Sequence, residues 1–489
     1  MQNIALRKPA LWEALLPIFF LVSALAFNVF VFKDDGLSGS NQMILIFSAG
    51  IAALMAFRLG MTWEQVQESM VRSIGSAMAA ILILLMIGAL AGTWMLSGIV
   101  PAMIYYGLKI MNPTIFLVAS CIVCCVVSLA TGSSWSTVAT IGIALLGIGK
   151  TLGINEGLIA GAIISGAYFG DKVSPLSDTT NLAPAVAGTD LFTHIRYVMI
   201  TTVPTLTITL IIFFVIGFFQ DNVTSKEQIN SVLGAIDTTF NLNPLLFLVP
   251  ASVIFMIVKK MPALPAILIG ALLGGVFAII FQKDVVLKVV GEGMDASTAM
   301  YVGVMKAMYG KISVVTSNEV VNELLTTKGM AGMLNTIWLI ICAMMFGGIM
   351  EASGMLNRIT EPIIQKAQSS GSLIASTACT CVFFNLTASD QYLAIVVPGR
   401  MYAKAFVKRG LSPENLSRTL EDSGTVTSVL VPWNTCGATQ TSVLGVATLT
   451  YLPYCFFNIL SPLMTILVGY LQIKIKKLTK EEVAKMEVD

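Results

Sequence analysis

Hydrophobic residues in this chain gather in long blocks rather than alternating with polar ones. Four blocks carry no charged side chain and reach the roughly 20 residues that a bilayer-crossing helix needs: 73–96, 197–219, 261–282 and 329–350. The block 11–32 is charged only at Glu13, and shorter apolar blocks occupy 42–57 and 244–258. Three longer blocks do not divide neatly into spans. Residues 114–149 are interrupted by "TGSSWST" at 131–137, 367–389 run straight into Asp390, and 423–473 are interrupted by "PWNTCGATQTS" at 432–442. A further dense polar stretch, "GDKVSPLSDTTN" at 170–181, sits between two apolar runs. Irregular backbone at membrane depth is tolerated only where protein or a wet cavity satisfies its polar groups. The pattern therefore predicts re-entrant hairpins and unwound helices beside ordinary spans.

The predicted fold is an all-α polytopic membrane protein built from two inverted-topology repeats. Each has about five spans, one of them a broken helix, plus a re-entrant hairpin. The first repeat has helices near 11–32, 42–57 and 73–96, a hairpin at 114–150, a broken helix at 156–185, and a helix at 197–219. The second has 244–258, 262–281, 330–350, a hairpin at 371–408, a broken helix at 415–440, and 448–473. The domain reading is 1–220 for the first repeat, 221–243 for an extracytoplasmic linker, 244–475 for the second repeat and 476–489 for a cytoplasmic tail. Segment 285–328, with its mixed charges, is expected to be interfacial or extramembrane. Faint internal matches support the duplication. Ser97-Gly98 and Ser353-Gly354 lie 256 residues apart, "SLATGSSW" (128–135) and "NLTASDQY" (385–392) 257, Pro175 and Pro432 257, and Ser165-Gly166 and Ser423-Gly424 258.

Charge sets the orientation. With both termini in the cytoplasm, this layout puts most of the 29 Lys and Arg residues on the cytoplasmic side, as the positive-inside rule requires; Lys283–Lys328 is a mildly basic exterior exception. Arg7, Lys8 and the run that follows resemble a signal peptide. Apolar character continues through Phe32, however, so the segment reads as a retained first helix. Only 11% of residues are charged and 56% are hydrophobic, with a mean hydropathy of +0.84. A net charge of +2 leaves no nucleic-acid footprint. Cys121, Cys124 and Cys125 lie in an apolar block and read as small filler. No hydrolase, zinc or P-loop signature is present, so an enzyme, or a pump driven by ATP, lacks its chemistry.

Interrupted segments at matching places in two halves point to a transporter's central site. Pro175 and Pro432 are the predicted helix breaks, since proline removes a donor and disfavours helix just before it. Freed carbonyls and hydroxyls suit a hard cation such as Na+. The expected ion site, for Na+ and H+ in competition, comprises Asp171, Asp178, Thr179, Thr180, Asn181, Ser133 and Ser134. Asp178 is favoured over Asp171 as the shared carboxylate because hydroxyls and an amide flank it. A substrate or second-ion site is expected from Asn385, Thr387, Asp390, Trp433, Asn434 and Thr435. Asp390 also reads as a helix cap, Trp433 as packing, Glu421-Asp422 as a boundary pair with Arg418, and His194 and Arg196 as cytoplasmic boundary residues.

The stretches "ISGAYFGDKVSPLSDTTNLAPAVAGTDLFTHIRY" (164–197), "DQYLAIVVPGRMY" (390–402) and "NLSRTLEDSGTVTSVLVPWNTCGA" (415–438) resemble the NhaC family of bacterial Na+/H+ antiporters. The resemblance implies a place in the wider ion transporter superfamily, with inverted repeats, paired hairpins, homodimers and elevator-like motion in a bacterial cytoplasmic membrane. It implies Na+ as transported or coupling ion and no other cofactor. Some members couple Na+ and H+ to malate and lactate or handle amino acids, so a small organic solute stands as the alternative cargo. A channel would need passive conductance without coupling.

Overall fold

The computed structural model describes residues 7–32, 39–219, 226–291, 293–316, 318–479 and 481–483. The first five residues of the expected linker (221–225) and the last six of the expected tail (484–489) lie outside them.

The chain is helical almost throughout. In the first half the helices are α1 (Leu11–Phe32), α2 (Ser40–Arg58), α3 (Trp63–Ser76), α4 (Met78–Leu96), α5 (Ile99–Ile110), α6 (Phe116–Thr131), α7 (Ser134–Thr137), α8 (Ile143–Thr151), α9 (Glu156–Val173), α10 (Asp178–Ala187) and α11 (Leu191–Phe219). The chain continues through α12 (Lys226–Thr239), α13 (Leu248–Val258), α14 (Ala263–Phe281), α15 (Lys283–Val290), α16 (Ala296–Tyr309) and α17 (Glu319–Leu324). Then follow α18 (Leu334–Ala352), α19 (Met355–Lys366), α20 (Ser370–Thr387), α21 (Gln391–Lys408), α22 (Pro413–Leu420), α23 (Thr435–Leu444), α24 (Thr448–Tyr451) and α25 (Phe456–Tyr470). Among the described residues, eight helices are long and apolar enough to cross a membrane, or up to ten if each of two bent pairs counts as one span. Large apolar side chains on the outer faces of α1, α11 and α14, such as Phe19, Phe214 and Leu272, are exposed. A bilayer gives such a surface its partner.

Both expected hairpins form. The first runs from α6 through a tip at 132–133 into α7, a π-helical turn Val138–Gly142 and α8; the second runs from α20 through Ser389 into α21. Each tip turns on a left-handed residue, Gly132 at φ +71° and Ser389 at φ +61°. Both broken helices form as well. α9 ends at Val173, Ser174 before Pro175 is extended at ψ 130°, and α10 starts at Asp178. In the second half α22 continues through a π-helical turn Glu421–Thr425 and a 3-10 turn Ser428–Leu430, and the chain restarts as α23 past Pro432. Small residues let hairpin and broken helix touch, as in membrane bundles generally. An added Cβ at Gly166 of α9 would lie 2.1 Å from the Cys121 carbonyl oxygen of α6.

Element starts recur at a constant offset. Met78 and Leu334 open equivalent helices 256 residues apart, as do Ile99 and Met355. Ser134 and Gln391, Glu156 and Pro413, Asp178 and Thr435, and Leu191 and Thr448 are each 257 apart. The left-handed residues follow the same rule at Gly98 and Gly354, and at Gly188 and Gly445.

The structure departs from the sequence reading in four places. Residues 73–96 are not one span. α3 is an amphipathic helix with Glu64, Glu68 and Arg72, opened by a capping box at Thr62, and it ends before Ala77. α12 and α13 are bent by 93°, so the block 244–258 is half of a broken unit, and 448–473 is bent by 56° between α24 and α25. Segment 285–328 is not wholly peripheral. Within it α16 packs on α4 so closely that a Cβ at Gly92 would lie 1.8 Å from the Ala307 carbonyl oxygen.

Candidate functional site

Four helices begin around one cavity of about 620 Å³, two from each half. α7 is capped by Ser133, whose Oγ accepts the Ser136 N–H at 3.2 Å. α10 is capped by Ser177, and α21 by Asp390, whose Oδ1 accepts the N–H groups of Tyr392 and Leu393 at 2.9 and 3.0 Å. α23 is capped by Asn434, which accepts the Cys436 N–H at 3.1 Å. Thr131, Ser133, Asp171, Ser177, Asp178 and Thr179 line the cavity from the first half, and Asp390, Gln391, Tyr392 and Thr435 from the second. The second break is tied to the second tip by the Thr435 N–H donating to the Ser389 carbonyl at 3.0 Å. Unpaired N–H groups at helix starts carry positive potential, which offsets the three aspartates gathered here.

Asp171 is one of two buried carboxylates in the group, with Asp390. Its Oδ2 accepts from the Ser134 hydroxyl at 2.6 Å and backbone N–H at 3.2 Å, and its Oδ1 accepts from the Ser177 hydroxyl at 2.6 Å. Thr180 donates to the Asp171 carbonyl at 2.7 Å, holding the end of α9 against the start of α10. Thr179 bridges outward, 3.1 Å from the Ser177 hydroxyl and donating to Glu421 Oε1 at 3.2 Å. Asp178 is exposed and faces the cavity. The Ser177 hydroxyl, expected beside Asp178, thus reaches Asp171, because a turn at 174–177, closed by the Ser177 N–H donating to the Ser174 carbonyl at 3.1 Å, swings Ser177 back onto the end of α9. Asn181 lies outside the cavity, donating its amide to the Pro175 and Ser177 carbonyls at 3.0 and 2.7 Å. It braces the break.

Of the expected second set, Asp390 and Thr435 reach the cavity and four residues do not. Asn385 donates to the Gly424 carbonyl at 2.7 Å and to the Thr427 hydroxyl at 3.0 Å, and Asn434 donates to the Asn385 carbonyl at 3.1 Å. Trp433 donates to the Leu386 carbonyl at 2.7 Å, and Thr387 to the Phe383 carbonyl at 2.8 Å. Asn385, Trp433 and Asn434 thus lock α20 to the unwound segment behind the site, while Thr387 bonds within α20.

A buried charge cluster behind the cavity was missed in the sequence. Lys172 and Asp422, both fully buried, form an ion pair between the two broken helices. Lys172 also donates to the Ser461 hydroxyl at 2.9 Å, and Thr201 donates to Asp422 Oδ1 at 3.1 Å. Arg418 is fully buried, its guanidinium 4.8 Å from the centre of the Tyr197 ring, rather than paired at a boundary with Glu421-Asp422. His194 is buried too, its Nδ1 2.9 Å from the Ser417 hydroxyl. A signal was available: Lys172 lies in a polar break between two apolar runs, and an intramembrane lysine demands an acidic partner.

Hairpins and broken helices that meet at an acidic cavity inside a bundle of membrane-length helices define a multi-pass membrane protein of the transporter class. The chain belongs to the Na+/H+ antiporter family, whose sequence profile matches residues 166–473. It is 36% identical over 471 residues to the Na(+)/H(+) antiporter NhaC of Alkalihalophilus pseudofirmus, covering 96% of this chain and 98% of that one. It is also 36% identical over 466 residues to the malate-2H(+)/Na(+)-lactate antiporter of Bacillus subtilis, covering 95% of each. The arginine/ornithine antiporter ArcD of Halobacterium salinarum is 34% identical over 469 residues, covering 95% and 92%.

Proposed function

We propose that the protein exchanges Na+ for H+ across a bacterial cytoplasmic membrane by alternating access. Asp171 holds the ion, with the Ser134 and Ser177 hydroxyls completing its oxygen shell. Ser133, Asp178 and Thr179 line the approach, and Thr180 and Asn181 fix the backbone around it. The observation that carries this reading is a buried carboxylate that accepts hydroxyl hydrogen bonds at 2.6 Å in a cavity shared by both halves. Such a carboxylate is costly in a membrane unless it binds a cation or a proton. The recurring 256–257-residue spacing supports two repeats; in this reading they are related by inversion, both termini are cytoplasmic, and the hairpin and broken-helix unit of each protomer of a homodimer moves like an elevator. In proteoliposomes with imposed Na+ and H+ gradients, Asp171→Asn should abolish Na+-driven proton movement. Wild-type exchange in that variant would overturn the assignment.

A second reading adds a passenger. The cavity of about 620 Å³ is of the size that holds small organic ligands. The malate/lactate and arginine/ornithine relatives give that reading its solute classes. Na+/H+ exchange by the purified protein with no organic solute present would exclude an obligatory passenger.

A further inference from the structure

Three membrane-length helices end around a groove at one end of the bundle. α1 begins there at Leu11, and α2 and α18 finish there at Arg58 and Ala352. The groove has a volume of about 600 Å³ and lies between the lead-in to α1 (Arg7 and Lys8), the turn at Ser353-Gly354 and α19. It shares no lining residue with the cavity of the ion site.

A buried carboxylate holds the lead-in in place. Glu13, in the first turn of α1, accepts from Arg7 Nη2 at 2.5 Å, from Arg58 Nε at 3.0 Å and from the Ala10 N–H at 2.8 Å. The Arg7 backbone N–H donates to the Leu59 carbonyl at 3.3 Å. One carboxylate thus serves two guanidiniums, and both are more than half exposed. Lys8 is exposed as well and forms no ion pair among the described residues. Across the groove Arg358 reaches Glu361 at 3.2 Å, both partly exposed. Four cations face two carboxylates, so these groups carry a surplus of two positive charges.

The charged groups adjoin a lipid-facing surface. Leu11, Trp12, Leu15, Leu16 and Phe19 of α1 are exposed, and the Arg58 guanidinium lies 5.1 Å from the centre of the Trp12 ring. A tryptophan at the end of a span marks headgroup depth. Acyl chains cover such apolar side chains, and the surplus of cations beside them calls for a negative headgroup. A soluble anion would meet the charges and leave the apolar strip unused.

The geometry points to a binding site for an anionic phospholipid, its phosphate seated among Arg7, Lys8 and Arg358 and its acyl chains lying along α1. Basic pockets between transmembrane helices are a recurrent seat for such headgroups. Arg58 stays on Glu13 and Trp12 and supports the wall. The headgroup bridges α1 to α19, two helices that pack together but share no ion pair among the described residues.

Native mass spectrometry of the detergent-purified full-length protein tests this, with phosphatidylglycerol and phosphatidylcholine of identical acyl chains titrated in parallel. Each juxtamembrane cation is worth about a factor of five, so a surplus of two should favour phosphatidylglycerol by about 25-fold. Lys8→Gln combined with Arg358→Gln removes that surplus and should bring the two lipids to equal affinity. Both side chains are exposed and neither touches Glu13, so the fold is spared. Lys283→Gln combined with Lys288→Gln, two exposed lysines of α15, should leave the preference at its wild-type value. Equal binding of the two lipids by the wild type, or a preference retained in the groove variant, overturns the proposal. So does an equal loss in the α15 variant, which would mean general charge attraction. Inorganic phosphate that raises the melting temperature as much as phosphatidylglycerol does would overturn the lipid in favour of a soluble anion.

Discussion

The ion pair between Lys172 and Asp422 joins the two broken helices where neither side chain meets solvent, and removing one partner exposes its role. Lys172→Met keeps the length and bulk of the side chain but deletes the charge. The variant loses the contact with Asp422, the bond to Ser461 at 2.9 Å and the position of the ammonium 5.3 Å from the centre of the Phe457 ring. What dominates is the carboxylate left behind. An uncompensated buried charge costs about 3–5 kcal/mol, and the ring contact adds about 0.5–1 kcal/mol. The Thr201 hydroxyl, still 3.1 Å from Asp422, offsets about 1.5 kcal/mol. The net loss is therefore about 2–4.5 kcal/mol, read as a lower melting temperature of the detergent-purified protein. Lys172→Met combined with Asp422→Asn removes both charges and keeps the donor from Thr201, and should recover most of that loss. A double-mutant cycle isolates the pair term. A double variant no more stable than the single, or a Lys172→Met variant as stable as wild type, would refute the reasoning.

Three further outcomes follow from the hairpin tips and their braces. Gly132→Ala places a side chain on a residue at φ +71°, with its Cβ 2.6 Å from Leu176. It should cost at least about 1–2 kcal/mol and push the first tip off the break, lowering transport. Ser389→Gly relaxes the equivalent position at φ +61° and removes a buried hydroxyl without a partner, so it should raise the melting temperature. Trp433→Phe deletes the donor to the Leu386 carbonyl and should cost about 1 kcal/mol of stability without altering the Na+ dependence of exchange; a changed ion or solute preference would place Trp433 in the pocket after all.

The hairpins and breaks were legible in the sequence because their cause is local. Pro175 forces Ser174 out of the helix, polar runs interrupt apolar ones, and matching interruptions recur about 257 residues on. What the sequence could not convey is which side chain each break turns toward which. Asp171 and Asp178 look alike in the chain, and the flanking hydroxyls argue for Asp178. Only the turn at 174–177 gives the Ser177 hydroxyl to Asp171 and leaves Asp178 at the cavity wall. The second half shows the same limit. Asn385, Thr387, Trp433 and Asn434 have the composition of a binding site, yet the bonds of Asn385, Trp433 and Asn434 hold the unwound segment in place, and Thr387 bonds back within α20. The duplication sharpens the point. Ser133 and Asp390 cap equivalent helices 257 residues apart, as do Ser177 and Asn434, so the backbone frame is shared while the chemistry is not. The position equivalent to Asp171 is Ser428, and Glu421 and Asp422 correspond to Ile164 and Ser165. The two halves therefore supply unlike groups to a single centre: the first brings Asp171 and Lys172, and the second brings Glu421 and Asp422, which face them.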